Sequence, residues 1–536
     1  MTVADRPGVA AQFLAAAARL GDKPALIRAD ESVSFSQLAS DVERLTAGFR
    51  RAGIASGARV ALLIPPSRDM YACTFALFRT GAIPVFIDPG IGFSNMGRCL
   101  TEAEPTAFIG SPKAHLARLI GRWAPKATIS VVADGKIPGM WNTRELRGIG
   151  SRVPVEAPEV PMDSVAAILF TSGSTGAPKG VVYTHGMFAA QVELLRSMFD
   201  IQEGQVSVPT FPLFGLFDAA LGQTCVIPDM DFTRPADVRP QDIVACLQKH
   251  GAHQLFGSPA LLDRVGRYGA EHGIALPQLK RVLSAGAPVG AKVLERFSRM
   301  LPEGVQIHTP YGATEALPVA LIGSDEILRE TAPMTAQGRG VCVGLPVNGV
   351  SVEIIRVFDE PAMGWNDALL APKGQIGEIV VSGPVVSREY DKRPAETAAA
   401  KISGGNAIRH RMGDLGYFDE KGRLWFCGRK AHRVKTSDGD MYTIPVEGVF
   451  NSHPDVKRTA LVGVRGKPVL CVEKELATKK NDVDLTRELL KLGSAYDLTK
   501  NIQKIIYHPA FPVDIRHNAK IYREKLSVWA AGKVPA

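Results

Sequence analysis

Apolar segments of strand length alternate with amphipathic segments of helix length through the first two-thirds of the chain. A helix-like stretch, FSQLASDVERLTAGFRRAG, precedes the first apolar segment, RVALLIP. Short apolar runs separated by helices of about 10 to 18 residues are typical of βαβ units, which place parallel strands in one sheet. The pattern therefore predicts an α/β class with a large N-terminal domain of parallel-sheet βαβ layers. Further strand-length segments are PVFIDPG, TAFIG, ATISVVA and VAAILFTSG.

The pattern changes between residues 340 and 429. Strand-like runs such as QIGEIVVSGP and GRLWFCGR are punctuated there by glycine and proline, which indicates a β-rich subdomain with tight turns. A polar, hinge-like segment follows Arg429, and about a hundred residues with their own strands and a helix near 485–495 come after it. At 536 residues the chain exceeds what one hydrophobic core organises. We therefore predict a large domain at 1–429 and a small α+β domain at 430–536.

The composition is that of a soluble globular enzyme, with 46% hydrophobic and 22% charged residues. No window reaches the roughly 18 to 20 apolar residues that span a bilayer, because Arg79 interrupts the most apolar stretch. Asp5 stands beside Arg6 where a secretory signal would carry a cationic region. We therefore predict a cytoplasmic protein that does not cross a membrane.

Cysteine usage and net charge narrow the chemistry. The cysteines are odd in number and include no C-x-x-C pair, which argues against a disulfide framework or a zinc site. They are Cys73, Cys99, Cys225, Cys246, Cys342, Cys427 and Cys471. A net charge of +9 suits an anionic substrate, an anionic membrane surface or nucleic acid. Because no Lys/Arg-rich block stands out, we favour an anionic small molecule and expect no nucleic-acid partner.

The segment TSGSTGAPKG directly follows the apolar strand VAAILF. Glycine and small hydroxyl residues allow successive backbone N–H groups to converge on phosphate oxygens, and a lysine follows that neutralises charge. It is not a Walker A loop, because Ala177 and Pro178 separate Gly176 from the lysine. We predict a phosphate-binding loop that contains Thr171, Ser172, Gly173, Ser174, Thr175, Gly176 and Lys179.

This signature resembles that of the acyl-adenylate-forming family, which includes acyl-CoA synthetases, luciferases and the adenylation domains of nonribosomal peptide synthesis. The resemblance runs over nearly the whole chain and implies ATP and Mg²⁺ as cofactors. It also implies a small C-terminal domain that is mobile. In SAGAP (284–288) the resemblance implies that the backbone at Gly286, Ala287 and Pro288 borders the adenine.

The segment YGATE (311–315) matches the next motif of the family. The resemblance implies that Tyr311, followed by Gly312, stacks on the adenine, that Thr314 contacts a phosphate and that Glu315 helps to hold Mg²⁺. A carboxylate is the hard oxygen ligand that magnesium prefers.

Two further positions match the nucleotide-binding residues of the family. Asp414 matches its ribose-binding aspartate, and a carboxylate can accept hydrogen bonds from both ribose hydroxyls. Arg429 matches the arginine near the nucleotide at the domain boundary. The threonine that usually stands two residues before the aspartate is Met412 here, so no polar role is expected at that position.

Near the C-terminus, HNAKI matches the family's loop with a catalytic lysine, although Ala519 replaces the usual glycine. The resemblance implies that Lys520 enters the active site from the small domain. During adenylation, a carboxylate oxygen attacks the α-phosphorus and pyrophosphate leaves, so negative charge accumulates. A mobile ammonium group stabilises that charge.

The segment that corresponds to the acyl pocket of the family differs in sequence from that of most relatives. In FPLFGLFDAALG (211–222), Gly215 stands where an aromatic residue or histidine is common, flanked by Phe214 and Phe217. A glycine opens space for a long or branched alkyl chain, so these three residues are candidates for the substrate pocket, although an aromatic-packed core segment is an almost equal alternative.

Several features together resemble one branch of the family, the β-lactone synthetases of long-chain olefin biosynthesis. They are the segment FPLFGLFDAALG, the absence of an acidic insert in KRTALVGVRGKPVLCVEKE and the C-terminal sequence PVDIRHNAKIYREKLSVWA. The resemblance implies a 2-alkyl-3-hydroxy fatty acid as substrate, whose own 3-hydroxyl closes the lactone from an acyl-AMP. It also implies a complex with other enzymes of the olefin pathway.

Two alternatives remain open from the sequence. One is a fatty acyl-CoA synthetase, and the other is a non-catalytic nucleotide-binding scaffold, against which the presence of all the reactive groups argues. The base that accepts the 3-hydroxyl proton is not identified. His185 is a candidate catalytic residue with a structural or gating role as its alternative, and His432 and His517 are weaker candidates.

Overall fold

A computed structural model describes residues 7–152, 158–171, 177–404, 407–513 and 521–534. Among these residues, no helix is both long enough and apolar enough to cross a bilayer. The N-terminal elements are α1 (Val9–Leu20), β1 (Pro24–Arg28), β2 (Glu31–Ser34), α2 (Phe35–Arg51), β3 (Arg59–Leu63), α3 (Arg68–Thr80), β4 (Ile83–Ile87), α4 (Phe93–Ala103), β5 (Ala107–Gly110), α5 (Pro112–Gly121), β6 (Ile129–Val132), β7 (Trp141–Asn142) and α6 (Thr143–Gly150).

The second group of elements contains the strands and helices that surround the site. It comprises β8 (Val165–Phe170), β9 (Gly180–Thr184), α7 (His185–Phe199), β10 (Val206–Pro209), α8 (Phe214–Ala220), β11 (Thr224–Ile227), α9 (Pro240–Lys249), β12 (Gln254–Phe256), α10 (Pro259–His272), β13 (Arg281–Leu283), α11 (Ala291–Ser298), β14 (Ile307–Ala313), β15 (Ala316–Gly323), α12 (Ser324–Glu326) and α13 (Ala332–Ala336).

Within the described ranges, one sheet has seven strands in the order β7-β6-β5-β3-β4-β8-β9. All neighbours are parallel except β8 and β9, which are antiparallel. Its central strands are buried, because helices such as α2 and α3 cover it with fully buried side chains that include Phe49 and Phe75. The predicted α/β class is therefore confirmed by the parallel βαβ layers.

The second sheet joins a parallel part to an antiparallel part. β1, β11, β10, β12, β13 and β14 are neighbours in parallel, and β15 then pairs antiparallel with β14. The antiparallel part is the β-rich region that the glycine and proline pattern predicts. Its elements are β16 (Val341–Pro346), β17 (Ser351–Ile355), β18 (Gly377–Ser382), α14 (Pro394–Ala400), β19 (Lys401–Gly404), β20 (Ala407–Phe418) and β21 (Leu424–Arg429).

The residues after 430 contain a separate sheet in which β24 and β25 are antiparallel and β26 is parallel to β25. Arg465 and Gly466 form a tight turn between β24 and β25, and both have positive φ, as a two-residue hairpin turn of type I′ requires. The elements are β22 (Val434–Thr436), β23 (Gly439–Met441), α15 (Thr443–Asn451), β24 (Val456–Val464), β25 (Lys467–Lys474), α16 (Asp482–Ser494), β26 (Lys504–Tyr507) and α17 (Arg523–Ala531).

The cysteines are free thiols, and all except the half-buried Cys246 are buried. Cys73 lies on α3 in the N-terminal core, and Cys471 lies on β25 in the C-terminal sheet. Burial raises the pKa of both thiols, and that of Cys471 reaches about 12. Both thiols are therefore protonated at neutral pH.

Candidate active site

The predicted phosphate-binding loop connects the antiparallel strands β8 and β9. The amide of Thr171 donates to the carbonyl oxygen of Lys179 at 3.0 Å, which holds the two ends of the loop together. Lys179 Nζ lies 4.8 Å from the centre of the Tyr390 ring. The loop residues between them, Ser172, Gly173, Ser174, Thr175 and Gly176, lie outside the described residues.

The predicted adenine-binding segment follows β13 at the carboxyl end of the parallel strands, where open α/β sheets bind ligands. Gly286 has a φ of 93°, in the left-handed region that favours glycine. Gly286 and Pro288 are exposed and Ala287 is half-buried. A nucleotide can therefore reach this backbone from solvent.

Tyr311, Asp414 and Arg429 form one contact group. Tyr311 Oη donates to Asp414 Oδ2 at 2.6 Å, and Arg429 Nη1 lies 3.0 Å from Asp414 Oδ1. The pairing of β20 with β21 places Asp414 opposite Arg429. The charge of Asp414 raises the pKa of Arg429, and burial together with that charge raises the pKa of Tyr311. A carboxylate has acceptor capacity left after two such contacts, so Asp414 can also bind ribose hydroxyls.

Glu315 is held by a residue that the sequence motifs do not mark. Tyr390 Oη donates to Glu315 Oε1 at 2.6 Å, and the main-chain oxygen of Glu315 accepts from the amide of Ser387 at 2.8 Å. Burial and the neighbouring carboxylate raise the pKa of Tyr390, so its phenol stays protonated and donates. The charge of Glu315 also contributes to the raised pKa of Arg429, after the larger contribution of Asp414. Beside Glu315, the hydroxyl of Tyr183 donates to the main-chain oxygen of Thr314 at 2.6 Å, and the residue after Tyr311 is Gly312.

A buried lysine lies behind Tyr390. Lys401 Nζ donates to the main-chain oxygen of Ser387 at 2.6 Å and lies 5.8 Å from the centre of the Tyr390 ring. Burial lowers the pKa of Lys401 to about 7, against the opposing charge of Glu315. Lys401 pairs across the strands with His410, which is also buried. Nothing in the sequence pattern indicates this lysine, because it lies on a β-strand far from any motif.

The residues around Glu315 fit a magnesium ion. Glu315 Oε2 accepts no hydrogen bond from the described residues, while Tyr390 fixes the other oxygen. Glu315 is half-buried, and its partner Tyr390 also contacts Lys179, which belongs to the phosphate-binding loop. A hard, partly exposed carboxylate oxygen beside a phosphate site is the type of ligand that Mg²⁺ uses together with phosphate oxygens.

An apolar cavity abuts the nucleotide side of the site. Its walls come from α7, α8 and the strands β10, β12 and β13, and they include Phe214, Phe217 and Phe256. The rings of Phe214 and Phe256 are 4.3 Å apart. Ala285, within the segment SAGAP, and Pro310, directly before the segment YGATE, line the same cavity. An acyl chain in the cavity would therefore have its carboxyl end near the nucleotide.

The other end of the cavity is polar. Gln254 Nε2 donates to Ser207 Oγ at 3.2 Å. On their strands, these two residues stand two positions before Phe256 and Pro209. Two residues of a strand span about 6.6 Å, so this polar row lies away from the nucleotide end. Asp218 lines the cavity on the facing helix. Burial raises the pKa of Asp218 to about 7, opposed by hydrogen bonding from Ser207 and by the charge of Arg281.

Gly215 does not line the cavity, although Phe214 and Phe217 do. A Cβ atom at Gly215 would lie 2.8 Å from Cys225 Sγ and would overlap the hydroxyl of Tyr71. The glycine therefore allows close packing between α8 and α3 and does not open space for an alkyl chain. The sequence-based interpretation of Gly215 is corrected on this point.

Neither of the two candidate histidines in the described part of the chain, His185 and His432, lines the cavity. His185 is buried with its ring 5.9 Å from that of Phe78, and burial lowers its pKa to about 4. It does not line the cavity, so its catalytic role stays a prediction without a contact that supports it. His432 Nε2 lies 3.0 Å from Glu524 Oε1 on α17. Lys520 and His517 lie outside the described residues.

Residues 13–391 match the model of a family described as AMP-binding enzyme. The chain is 46% identical over 519 residues to an olefin β-lactone synthetase of Xanthomonas campestris, covering 94% of this chain and 91% of that protein. It is 47% identical over 517 residues to an olefin β-lactone synthetase of Stenotrophomonas maltophilia, covering 94% and 92%. The similarity therefore includes both the nucleotide motifs and the C-terminal region.

Among solved structures, the amide bond synthetase McbA from Marinactinospora thermotolerans superposes with a TM-score of 0.80. The match covers 97% of this chain and 99% of that protein at 23% sequence identity. At this identity the likeness shows a common fold, in agreement with the α/β class.

Proposed function

The chain belongs to the AMP-binding enzyme family, and from that premise we propose that it is an olefin β-lactone synthetase. It converts a long-chain 2-alkyl-3-hydroxy fatty acid to a β-lactone through an acyl-AMP and releases AMP and pyrophosphate. The observation that carries the proposal is the identity of 46% and 47% to two such enzymes over 94% of the chain. The apolar cavity beside the nucleotide motifs supports a substrate with long alkyl chains.

The first step uses ATP. A carboxylate oxygen of the acid bonds to the α-phosphorus, and the bond from that phosphorus to the bridging oxygen of pyrophosphate breaks. Asp414 orients the ribose, with Tyr311 and Arg429 fixing the carboxylate. Lys179 and Lys520 offset the negative charge that accumulates around the phosphates.

Magnesium, when bound, neutralises phosphate charge and favours departure of pyrophosphate. Glu315 would hold the ion through Oε2, because Tyr390 occupies Oε1. Tyr390 is therefore a positioning residue, since it orients the carboxylate and does not itself contact the reacting atoms.

The second step closes the ring. The 3-hydroxyl oxygen bonds to the carbonyl carbon of the acyl-AMP, and the bond from that carbon to the phosphate oxygen breaks, which releases AMP. The hydroxyl is tethered to the carbonyl, so its effective concentration is high. The hydroxyl proton passes to a base that we leave unassigned.

An external thiol is not required by this chemistry. β24 and β25 are joined directly by the tight turn at Arg465 and Gly466, without the acidic insert that thioester-forming relatives usually carry. We further propose that neighbouring enzymes of olefin synthesis supply the hydroxy acid and consume the lactone in a complex with this chain. A cytoplasmic location stays a prediction.

Mass spectrometry of the product tests the proposal. Purified protein, Mg-ATP and a 2-alkyl-3-hydroxy fatty acid are incubated with and without CoA. We expect a product lighter than the acid by one water, with equal release of AMP, in both samples. A product that forms only with CoA and carries its mass would identify a fatty acyl-CoA synthetase. Failure to bind or turn over ATP would instead favour a non-catalytic scaffold.

A further inference from the structure

Helix α5 exposes a row of large aliphatic side chains. Leu116, Leu119 and Ile120 are 58%, 76% and 69% exposed. Their spacing of three and four residues places them on one face of the helix. An adjacent side of the helix is anchored, because His115 is buried and its Nε2 lies 2.9 Å from the main-chain oxygen of Val131. No other helix of the described residues exposes more than one large apolar side chain.

An exposed aromatic side chain extends this surface. Phe93, at the start of α4, is 52% exposed. Its ring centre lies 4.4 Å from that of Trp123, which follows the end of α5. We call Phe93, Leu116, Leu119 and Ile120 the apolar patch. Because α4 and α5 are in contact, these exposed apolar side chains lie on neighbouring helices, and such a concentration of apolar side chains is a candidate interaction site.

Every charged residue on α5 and in the segments next to it in sequence is basic, whereas Glu102 and Glu104 at the C-terminal end of α4 are acidic and ion-paired. The sequence from Pro105 to Ala133 contains four lysine or arginine residues and no aspartate or glutamate. Lys113 and Arg122 are exposed at the two ends of α5, and neither has an ion pair among the described residues. Arg118 and Lys126 are engaged, with the carbonyl of Ala127 and with Glu104 respectively. The apolar patch is therefore flanked by two available cations.

We propose that the apolar patch docks the protein on an anionic phospholipid bilayer. An amphipathic helix with aliphatic side chains on one face and basic residues at its edge binds such a surface by burying the apolar face among the acyl chains. Nearby lysine and arginine side chains add electrostatic attraction to anionic headgroups. Lysine is depleted at protein interfaces and leucine contributes few of their strongest contacts, so the composition favours a lipid surface over a protein partner.

Docking on a bilayer does not depend on the proposed reaction. If the substrate is a long-chain acid, docking also places the cavity next to the phase in which that acid dissolves. Vesicle binding is measured without ATP or acid, so its outcome and the outcome of the lactone assay are separate.

Co-sedimentation with vesicles tests the inference. The full chain is mixed with vesicles of phosphatidylcholine and phosphatidylglycerol in equal amounts, or of phosphatidylcholine alone, at low and high salt. We expect binding to the anionic vesicles that weakens at high salt. The double variant Leu119→Ser/Ile120→Ser should bind at least about tenfold more weakly, because it removes two inserted side chains. Lys113→Glu/Arg122→Glu should also lose about tenfold or more.

The matched control is Leu476→Ser/Val483→Ser, which removes two aliphatic side chains that are 97% and 70% exposed in the C-terminal region. It should bind vesicles as the unmodified protein does. Absence of vesicle binding by the unmodified protein, or equal losses in patch and control variants, would overturn the proposal. Light scattering in the absence of lipid identifies the main competitor. A dimer that Leu119→Ser/Ile120→Ser converts to monomers would make the apolar patch a contact between two copies of this chain.

Discussion

The nucleotide end and the acyl end of the site differ in how their polar groups are hydrogen-bonded. At the nucleotide end, Asp414 contacts Tyr311 and Arg429, and Glu315 accepts from Tyr390. At the acyl end, three buried oxygen atoms have no hydrogen-bond partner among the described residues: Gln191 Oε1, Asp218 Oδ2 and Gln254 Oε1. At the nucleotide end, Ser284 Oγ is also buried without such a partner, but the carboxylates of Asp414 and Glu315 are both held by neighbours.

This difference indicates that the two ends have different roles. A charge that must be in place before ATP binds is fixed by its neighbours, and a fixed charge stabilises a transition state without reorganisation. Buried oxygen atoms without partners carry a cost in free energy that a bound group can relieve. The nucleotide end is therefore preorganised, whereas the acyl end keeps hydrogen-bonding capacity that depends on what occupies the cavity.

The largest effect is expected from the lysine that would complete the nucleotide end. Lys520→Ala should slow adenylate formation by about 10³-fold or more, because under the proposed mechanism it removes the cation that would contact the transferring phosphate group. ATP binding should persist, since Asp414 and Arg429 remain. Pyrophosphate exchange and calorimetric ATP binding measure the two properties separately, with Lys525→Ala as the control in the same region. Normal exchange in Lys520→Ala would remove the residue from the mechanism.

A pH-dependent effect on stability is expected at the acyl end. The pKa of Asp218 is about 7 in the folded chain and near 3.8 when unfolded, so the native state holds this proton more tightly. The contribution of Asp218 to the free energy of unfolding therefore falls as pH rises from about 4 to about 7, and it is lost above pH 7. Between these pH values the change in the free energy of unfolding due to Asp218 is about 4 kcal/mol, and Asp218→Asn removes this pH dependence.

Denaturant unfolding at a series of pH values measures that difference. The stability of Asp218→Asn relative to the unmodified protein should increase between pH 4 and pH 7 and level off above it. A constant difference across this range would mean that Asp218 is ionised throughout and that the acyl end is as fixed as the nucleotide end.

Glu315→Ala should reduce adenylate formation by about 10²-fold for every acid tested, because the loss concerns the phosphates that all acids share. The activity should recover in part at high Mg²⁺ concentration, which pyrophosphate exchange can follow. Glu420→Ala, an exposed carboxylate on another turn, serves as control. A loss that depends on the acid would show that the two ends do not act separately.

The smallest effect is expected from Tyr390→Phe, which keeps the ring and removes the hydrogen bond to Glu315. Adenylate formation should fall about tenfold, and the Mg²⁺ concentration for half-maximal activity should rise while the KM for the acid stays constant. Tyr417→Phe is the matched control, because that buried hydroxyl donates to the main-chain oxygen of Arg339 at 3.0 Å. Equal responses of both variants would mean that Tyr390 has only a structural role.

The nucleotide end could be predicted from the sequence because its residues stand in contiguous motifs. Tyr311 and Glu315 lie four residues apart, and the hairpin of β20 and β21 explains the pairing of Asp414 with Arg429. Tyr390 could not be found this way, because 75 residues separate it from Glu315 and only the fold brings the side chains together.

The acyl end was less accessible to prediction. Asp218 and Gln254 lie on different elements, and although Asp218 belongs to the segment 211–222, nothing in its pattern indicates that the two side chains line one cavity. Gly215 was interpreted as open space because its sequence neighbours are aromatic, yet the Tyr71 side chain from α3 fills the position. The longer apolar strands predicted the parallel sheet, whereas β12 and β13 have only three residues each and leave too short a pattern to recognise.

The buried cysteines can report on how often the surrounding structure opens. A reagent that alkylates thiols can react with Cys73 or Cys471 only after the surrounding structure has opened and the thiol has lost its proton. Cys73 reports on the N-terminal core, and Cys471 reports on the C-terminal sheet. The labelling rates of the two peptides, measured in one sample, would therefore show whether the two parts of the chain open together or separately.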